Sequence, residues 1–512
     1  MELQGRNSGV GRLTEFNHLP TARACDADYC RCLMWAGVHS RGPLSGRGLR
    51  GRRLLACAGA ALLGACSLGP RYHRPDVPPP PAWLTPPDPA APQWPASDWW
   101  RGFASDDLNQ FITQAQQAND DLRAAIARVR EADAQRRIAG APLLPAVGVQ
   151  ATASRARAPV VENVGFLTNN DFVPLLTASY QLDFWGKNRA ALAAATASAQ
   201  ASRYDRTTVE LTVVAGVATS YFQALELRDR LDIANANFEN ASKVLQGLKL
   251  EQRAGTATGL DVAQQETVVA TVNATIPPLR QQLRQSLDAL AILIGSTPEA
   301  VDVTHGTLDG LSQPPVRPGL PSQLLARRPD VAEAEAQLIS ANANIAVARA
   351  AFFPSISLTA DGGYESSKLA SLLTPANRTW SLAAGLTQPI FQGGALVGQY
   401  RLSQARYDEL LADYHKAVIS AFANVEDALI ALQQTGELVT RDREAADQAA
   451  RAYRFAQMQM RAGTINVLTL LNTETALFSA RDALAQAKFA HLAALVSLYQ
   501  ALGGGWESER AL

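Results

Sequence analysis

The sequence lacks cysteine over most of its length. All five cysteines lie within the first 66 of its 512 residues, at Cys25, Cys30, Cys32, Cys57 and Cys66. If the chain is cut before Cys66, the mature protein keeps one cysteine, at its N-terminus. A disulfide framework and a thiolate metal site inside the mature fold are then both excluded.

An excess of charge and long apolar runs are also lacking. Lys and Arg together number 47, as do Asp and Glu, so the net charge is zero and gives no reason to expect a nucleic-acid partner. After the N-terminal region no apolar run reaches about 18 residues, so we expect no helical membrane span in the mature protein. This does not exclude membrane strands, because they alternate apolar and polar residues and escape such a scan.

Catalytic signatures are missing as well. The six histidines are scattered, and the sequence contains no H-E-x-x-H, Walker A or G-x-S-x-G pattern. His491 stands alone on a predicted helix, which indicates packing rather than metal binding. Glu266 and Glu474 recur on helix faces, where we expect a solvated or inter-helix role. The sequence therefore predicts that the protein is not an enzyme and binds neither a cofactor nor a metal ion.

The N-terminal region carries the features of a secretory signal. Arginines within 50–53 form a basic start, 54–63 is a short apolar stretch, and small residues precede Cys66. The Leu-Gly-Ala-Cys ending resembles a bacterial lipobox, in which the cysteine is acylated and the chain is cut before it. We therefore predict that 1–65 are an upstream region and lipoprotein signal peptide, and that Cys66 is lipidated. The alternatives are a chance cysteine and an uncleaved signal.

The residues after the cysteine support an anchored leader. Ser67 favours sorting to the outer membrane, since an aspartate there tends to retain such lipoproteins at the inner membrane. Acyl chains such as palmitate then supply the membrane anchor. Prolines crowd 70–95, which predicts an extended segment without internal hydrogen bonds. We assign 66–103 to a lipid-anchored leader, and both Met1 and Met34 stay open as the start of the chain.

The body of the chain consists of two similar sequence repeats. Sliding the sequence by 209 aligns Asp121 with Asp330 and Pro145 with Pro354. Sliding it by 208 aligns the Arg-Ala-Gly-Thr sequences at 253–256 and 461–464, and Gly295 with Gly503. Such self-similarity over nearly the whole body indicates duplication. The predicted domains are a first repeat at 104–295, a linker at 296–320, a second repeat at 321–503 and a tail at 504–512.

Each repeat is predicted to contain a helix, two strands, a long helix and a further helix. In the first repeat, the absence of proline predicts a helix over 106–141, and alternation predicts strands at 147–154 and 177–184 around a polar loop at 163–171. The proline-free stretch 188–253 would form a helix of roughly 100 Å, too long for one globular core. The other predicted elements are a helix at 260–294, strands at 356–360 and 380–391, and a helix at 395–461. A last helix is predicted from the turn at Gly463 to about 503.

Four strands per chain predict an oligomer if the strands cross a membrane. Unpaired strand edges cannot stay in lipid, and a closed barrel needs about eight or more strands. Two copies would supply eight strands and three copies twelve, and physics alone does not choose between them.

Several motifs resemble those of a known family. The sequence Pro-Ser-Gln-Leu-Leu-Ala-Arg-Arg-Pro-Asp-Val at 321–331 closely resembles a signature of the outer-membrane efflux lipoproteins of the TolC, OprM and NodT type. Further matches are 350–356, the Gln-Pro-Ile-Phe sequence at 388–391 and the Ile-Pro-Pro-Leu sequence at 276–279. The resemblance covers about 66–505. Pro329 and Asp330 also suit the first turn of a helix, so this signature implies packing rather than catalysis.

The resemblance implies a mainly α fold with a small β part, assembled as a homotrimer. A TolC-like α-barrel would cross the periplasm and continue into a 12-stranded β-barrel in the lipid of the outer membrane. The protein would be the exit duct of a tripartite efflux system, working with a periplasmic adaptor protein and an inner-membrane pump to export drugs and other small molecules. The lipobox favours a pump of the resistance-nodulation-division type. The alternatives are a type I secretion or metal-efflux duct and a poreless structural coiled-coil lipoprotein.

The resemblance also suggests functional residues. The two repeated turns would form the periplasmic tip and contact the adaptor through Arg253, Gly255, Thr256, Arg461, Gly463 and Thr464; the alternative is that they are only hairpin turns. Candidates for the closed aperture are Asp261, Asn466, Leu468, Thr469 and Asn472. Relatives often place aspartates near the second turn, whereas this sequence keeps an acid only at Asp261. Charge-based gating is therefore in doubt, and hydrogen bonds with packing of Leu468 or Leu471 would hold the tip shut.

Overall fold

The computed structural model describes residues 69–84, 94–159, 166–316 and 318–506. All of them belong to one compact unit, Ala65–Leu512. The predicted lipidation site Cys66 and the predicted signal region 1–65 lie outside the described residues, as do parts of the leader and of the tail.

Helices dominate the structure, and their lengths repeat. The first half contains α1 (Asp106–Ala118), α2 (Asp120–Gly140), α3 (Lys187–Arg253) and α4 (Gly259–Leu293). The second half contains α5 (Pro321–Leu324), α6 (Pro329–Ala350), α7 (Ala395–Arg461) and α8 (Val467–Ala501). Short 3-10 turns occur at Trp99–Phe103, Ala141–Leu143, Pro298–Ala300, Leu308–Gly310, Leu369–Ser371 and Pro375–Asn377. Because α3 and α7 both have 67 residues and α4 and α8 both have 35, the predicted duplicated unit is confirmed.

The strands form one four-stranded antiparallel sheet. They are β1 (Ala146–Pro159), β2 (Phe166–Leu182), β3 (Ser355–Tyr364) and β4 (Arg378–Thr387). Their order in the sheet is the order in the chain, so β1 and β4 are its two edges. Each half therefore contributes one hairpin, as the alternating patterns predicted.

The single helix predicted over 106–141 was wrong. The structure breaks it at Asn119, whose backbone is extended between α1 and α2. The Asn119 side chain accepts a hydrogen bond from the Leu122 amide (2.9 Å) and donates one to the Leu293 carbonyl (2.8 Å). An asparagine that caps the next helix ends the previous one without any proline.

Two strand boundaries also differ from the prediction. The polar loop expected at 163–171 was wrong from Phe166 onward, because β2 starts there and pairs with the end of β1. Ladder hydrogen bonds use the backbone, so polar side chains do not exclude a strand where a partner is present. The strand expected at 380–391 ends earlier, at Thr387. Pro389 has no amide hydrogen to donate to a ladder.

The two faces of the sheet differ in character. One row across all four strands consists of Val149, Leu176, Gly362 and Trp380, and the next row on that face consists of Val147, Ala178, Ala360 and Leu382. The large apolar side chains of these rows are exposed. The intervening row, on the opposite face, consists of Gly148, Thr177, Asp361 and Ser381, and Ser381 donates a hydrogen bond of 3.0 Å to Asp361. One face is therefore apolar and the other polar.

The long helices pack side by side. Helix α3 contacts α2, α4, α6 and α8, and α7 contacts α6 and α8. One core lies around Phe103, Phe222 and Tyr499, and a second joins α6 to α7 around Val331 and Tyr414. Helix α4 contributes Leu287, Leu290 and neighbouring residues to the buried side. Among the described residues, no helix combines the length and apolar composition that a membrane crossing requires.

The described part of the leader lies along the second half. The Arg74 guanidinium forms an ion pair of 3.1 Å with Glu335 on α6 and donates a hydrogen bond of 3.2 Å to the Tyr414 hydroxyl on α7. The Trp83 indole donates to the Gly319 carbonyl at 2.8 Å. These contacts fix the leader against α6 and α7.

Candidate functional site at the hairpin turns

The two Arg-Ala-Gly-Thr sequences build the same turn. Gly255 and Gly463 have φ values of +81° and +69°, which L side chains rarely adopt. The Thr256 amide donates to the Glu251 carbonyl, and the Gly255 amide donates to the Gln252 carbonyl. In the second turn the Thr464 amide donates to the Gln459 carbonyl, and the Gly463 amide donates to the Met460 carbonyl. This is the Schellman pattern, so the repeated glycines end α3 and α7 at equivalent points.

The turns are open to solvent in the described chain. A Cβ on either turn glycine would meet no atom within 4 Å. Arg253 and Arg461 are the last residues of α3 and α7, where a cation suits the negative helix end. The structure thus places all six predicted tip residues in two equivalent, exposed turns.

Three of the predicted aperture residues cap the returning helices. The Asp261 carboxylate accepts hydrogen bonds from the Thr258 amide (2.8 Å) and hydroxyl (2.6 Å), which lower the pKa of Asp261. In the second turn the Asn466 side chain accepts from the Thr469 amide (3.0 Å) and hydroxyl (2.8 Å). A shift of 208 relates Asn466 to Thr258 and Thr469 to Asp261, so the Asn466 amide caps α8 at the position where the Thr258 hydroxyl caps α4.

The two remaining aperture candidates, Leu468 and Asn472, lie on the surface, whereas Leu471, the other residue expected to pack at the tip, lies in the core. Leu471 is buried in a cluster with Leu248, Val262 and Val467, which joins the two hairpins. Leu468 and Asn472 are exposed. Packing of Leu471 therefore holds the two hairpins of one chain together, while Leu468 and Asn472 are free to meet another surface.

Each hairpin also presents two exposed apolar residues beside its turn, and of these four only Leu468 was a candidate from the sequence. Leu250 and Leu260 flank the first turn, and Met458 and Leu468 flank the second. A shift of 208 relates Leu250 to Met458 and Leu260 to Leu468, so the repeat itself contained the signal. These four side chains leave apolar surface beside both turns uncovered in the single chain.

The two repeated glutamates have different surroundings. Glu266 is exposed and pairs with Lys249 across the first hairpin at 2.7 Å, which confirms the inter-helix role expected for it. Glu474 is buried in the second hairpin, where Tyr453 of α7 acts on it, so of the two roles expected for it the inter-helix one applies and the solvated one does not.

A charged cluster farther from the turns was also missed. Arg230 on α3 pairs with Asp482 on α8 at 2.6 Å and with Glu226 on its own helix at 3.0 Å. Burial raises the pKa of Glu226, and the Arg230 charge opposes that shift. The cluster connects α3 with α8, which lie far apart in sequence, so no local pattern could indicate it.

The part of the chain that the structure describes contains no group of three or more His, Cys, Asp or Glu placed to hold a metal ion. His491 instead lies within 3.1 Å of the Thr435 hydroxyl, and burial lowers its pKa.

Comparisons with known proteins agree with this architecture. The chain matches the family described as outer membrane efflux protein over residues 111–296 and 320–504. It is 40% identical over 471 residues to the pyoverdine export outer membrane protein OpmQ of Pseudomonas aeruginosa, covering 90% of this chain and 98% of that protein. It is 33% identical over 455 residues to the toluene efflux pump outer membrane protein TtgC of Pseudomonas putida, covering 87% and 94%.

Solved structures resemble the whole body of the chain. The outer-membrane channel OprN superposes with a TM-score of 0.80 at 28% identity, covering 86% of this chain and all of that one (100%). The chain therefore belongs to the outer membrane efflux protein family, whose members are channels of the outer membrane and not enzymes.

Proposed function

We propose that three copies of this chain form the exit duct of a tripartite efflux system. The duct works with a periplasmic adaptor and an inner-membrane pump, and it exports small molecules through the outer membrane. The observation that carries this proposal is the four-stranded sheet, which has one apolar face, one polar face and two unpaired edges.

The sheet is suited to a shared barrel. Its exposed apolar face, with Trp380 and Leu382, fits lipid, and its polar face, with Asp361 and Ser381, fits a water-filled interior. In lipid the free edges of β1 and β4 need partners, and a second copy can offer β4 to β1. The choice of three copies over two rests on the family resemblance, and three copies give twelve strands.

The hairpins are suited to crossing the periplasm. The 67 residues of α3 and of α7 each correspond to roughly 100 Å of helix. In three copies these helices and their partners would line one tube, with the turns at its far end.

The six turn residues and the apolar residues beside them are suited to adaptor contact. Gly255 and Gly463 leave space above the turns, and Leu250, Leu260 and Met458 add exposed apolar surface beside them. We expect the double substitution Leu250→Asp, Leu260→Asp to abolish export while leaving the amount of protein in the outer membrane unchanged. Ile292→Asp, an equally exposed position at the other end of α4, is the matched control and should keep export. Equal export by both variants would reject the docking role.

Leu468 and Asn472 are proposed to meet across the closed aperture, with Asp261, Asn466 and Thr469 fixing the helix starts behind them. Asn472→Ala should raise the single-channel conductance, because it shortens an exposed side chain that we place in the aperture. Unchanged conductance across substitutions at 468 and 472 would reject this aperture.

Lipidation at Cys66 and the domain division predicted from the repeats complete the proposal. The acylated leader would tie the duct to the membrane, and the Arg74 and Trp83 contacts would hold that leader to the body. Mass spectrometry of the mature protein should show acyl chains on Cys66, and a Cys66→Ala variant should lack them.

The cargo has two candidate classes. The predicted lipobox favours a drug-type pump of the resistance-nodulation-division kind, whereas the 40% identity to a pyoverdine export protein over 98% of its length favours export of pyoverdine or a compound like it. Deleting the gene in its host separates them, since lower drug tolerance supports the first class and less secreted pyoverdine-like compound supports the second.

Native mass spectrometry of the purified protein tests the assembly. The mass should equal three acylated chains, and β1–β4 disulfides engineered between copies should link all three covalently. A mass of two chains, or of one, would contradict the proposed duct.

A further inference from the structure

Glu474 is a buried acid without a hydrogen-bond partner. It lies on α8, two turns after the second hairpin turn, and only 6% of its surface is exposed. Neither carboxyl oxygen makes a hydrogen bond to any described residue. Its helix neighbours Leu470 and Leu477 belong to an apolar cluster with Tyr453 and Ala456 of α7. An ionised carboxylate in such surroundings destabilises the packing around it.

The equivalent acid of the first hairpin has different surroundings. Glu266, 208 positions earlier, is exposed and pairs with Lys249 at 2.7 Å. The position equivalent to Lys249 in the second repeat is Gln457, so the second hairpin has lost the cation but kept the acid. The position equivalent to Leu245 is Tyr453, which places a phenol in the second hairpin instead. The sequence thus encodes a paired acid in one hairpin and an unpaired, buried acid in the other.

Few other ionisable groups face Glu474. Among the described residues, Tyr453 on α7 is the one titratable side chain that acts on it. The apolar side chains packed against the cluster are Val244 from α3, Ala449, Ala450 and Met460 from α7, and Ile465 from the turn. The polar but uncharged Gln457 acts on Tyr453. Burial raises the pKa of Glu474 to about 7, and the Tyr453 hydroxyl opposes this shift. Burial, with the Glu474 charge added, raises the pKa of Tyr453, so the phenol stays neutral.

We propose that Glu474 is a proton-operated latch of the second hairpin. The neutral carboxyl lets α7 and α8 pack at the tip, and loss of its proton loosens them so that the aperture opens. This inference rests on the proposed duct function, because it assigns the tip of that duct a trigger.

The direction follows from proton linkage. The packed hairpin holds the Glu474 proton with a pKa of about 7, whereas a loosened, hydrated hairpin would return the carboxyl towards its ordinary value near 4.5. The packed state therefore binds the proton more tightly, and it is favoured at low pH and weakened as the pH rises through 7. Between pH 5 and pH 8 this shifts the packed-to-loosened equilibrium on the order of fiftyfold towards the loosened state.

Hydrogen exchange of the assembled, full mature protein in detergent tests the latch directly. After correction for the intrinsic pH dependence of exchange, amide protection at 449–480 should fall between pH 5 and pH 8 in the wild type. Glu474→Gln, which is neutral at every pH, should keep its protection, and the matched control Glu266→Gln should behave like the wild type.

The latch is overturned if protection in the wild type does not change with pH, or if Glu474→Gln loses protection as the wild type does. Single-channel recordings of the same proteins separate the two proposals. Currents whose open fraction rises with pH in the wild type but not in Glu474→Gln support both. Currents with no such difference overturn the latch alone. A pH-dependent loss of protection with no current in any variant rejects the duct, and it leaves Glu474 as a pH-sensitive packing residue that opens no aperture.

Discussion

Arg328 offers the sharpest test of how the second half is held together. Its guanidinium forms two hydrogen bonds with the Asp330 carboxylate, at 2.9 and 2.6 Å. Its third nitrogen lies 3.2 Å from the carbonyl of Ala501 at the end of α8 and 3.5 Å from that of Ala421 on α7. The side chain is only 10% exposed. Arg328 therefore joins the start of α6 to two other helices.

The magnitude of an Arg328→Ala change follows from these contacts. Hydrogen bonds to a charged group contribute roughly 1.5–3 kcal/mol each, and removing one partner of a buried pair costs about 3–5 kcal/mol. Asp330 is 35% exposed and regains some water, which places the expected loss near the lower limit, about 3 kcal/mol per chain. Arg328→Lys keeps the charge but loses the planar fork, so about half of that loss is expected.

Thermal unfolding of the purified mature protein, followed by circular dichroism, measures this loss. For a chain of this size about 1 kcal/mol corresponds to roughly 1 °C, so Arg328→Ala should lower the midpoint by about 3 °C. Arg123→Ala is the control, because Arg123 forms an exposed pair with Asp120 at 2.9 Å that is worth less than about 1 kcal/mol. The reasoning is refuted if the two variants have the same unfolding midpoint.

Two further predictions concern the sheet and the helix bundle. Gly363→Ala should remove folded protein from the outer-membrane fraction, because its Cβ would clash with the Pro174 carbonyl oxygen of the neighbouring strand. Gly362→Ala is the control, because its Cβ would meet nothing within 4 Å, and it should leave the amount of protein unchanged. Equal loss in both variants would contradict the strand register. Burial, with Asp205 and Asp330 adding to it, raises the pKa of Glu333 to about 7, so the stability of the packed state is lost as the pH rises through 7. Glu333→Gln should therefore raise the melting midpoint at pH 8 and leave it unchanged at pH 5, whereas an equal effect at both pH values would contradict the assignment.

The regular parts of this fold were predictable because local chemistry determines them. The ends of α3 and α7 at Arg253 and Arg461 were predicted at the right residues, since a glycine with positive φ follows each. The duplication was visible as a constant shift between the halves, and it correctly predicted two hairpins of strands and two of helices.

The errors have a common cause, which is contact with residues distant in the sequence. The break at Asn119 depends on a hydrogen bond to Leu293. The early start of β2 depends on pairing with β1. The burial of Glu474 depends on Tyr453 and its neighbours on α7, and a repeat comparison showed only that the glutamate recurs. The exposed residues Leu250, Leu260 and Met458 beside the turns were missed because exposure is a property of the packed helices rather than of a sequence pattern.

The central claim is that this chain forms a gated duct, and current across a planar lipid bilayer tests it most directly. The purified mature protein should give discrete, low-conductance steps that grow when the tip is opened by substitution at Leu468 and Asn472 or by a bound adaptor. Silence that persists after both turns, 253–258 and 461–466, have been deleted from a folded protein would contradict the account and favour a poreless structural lipoprotein.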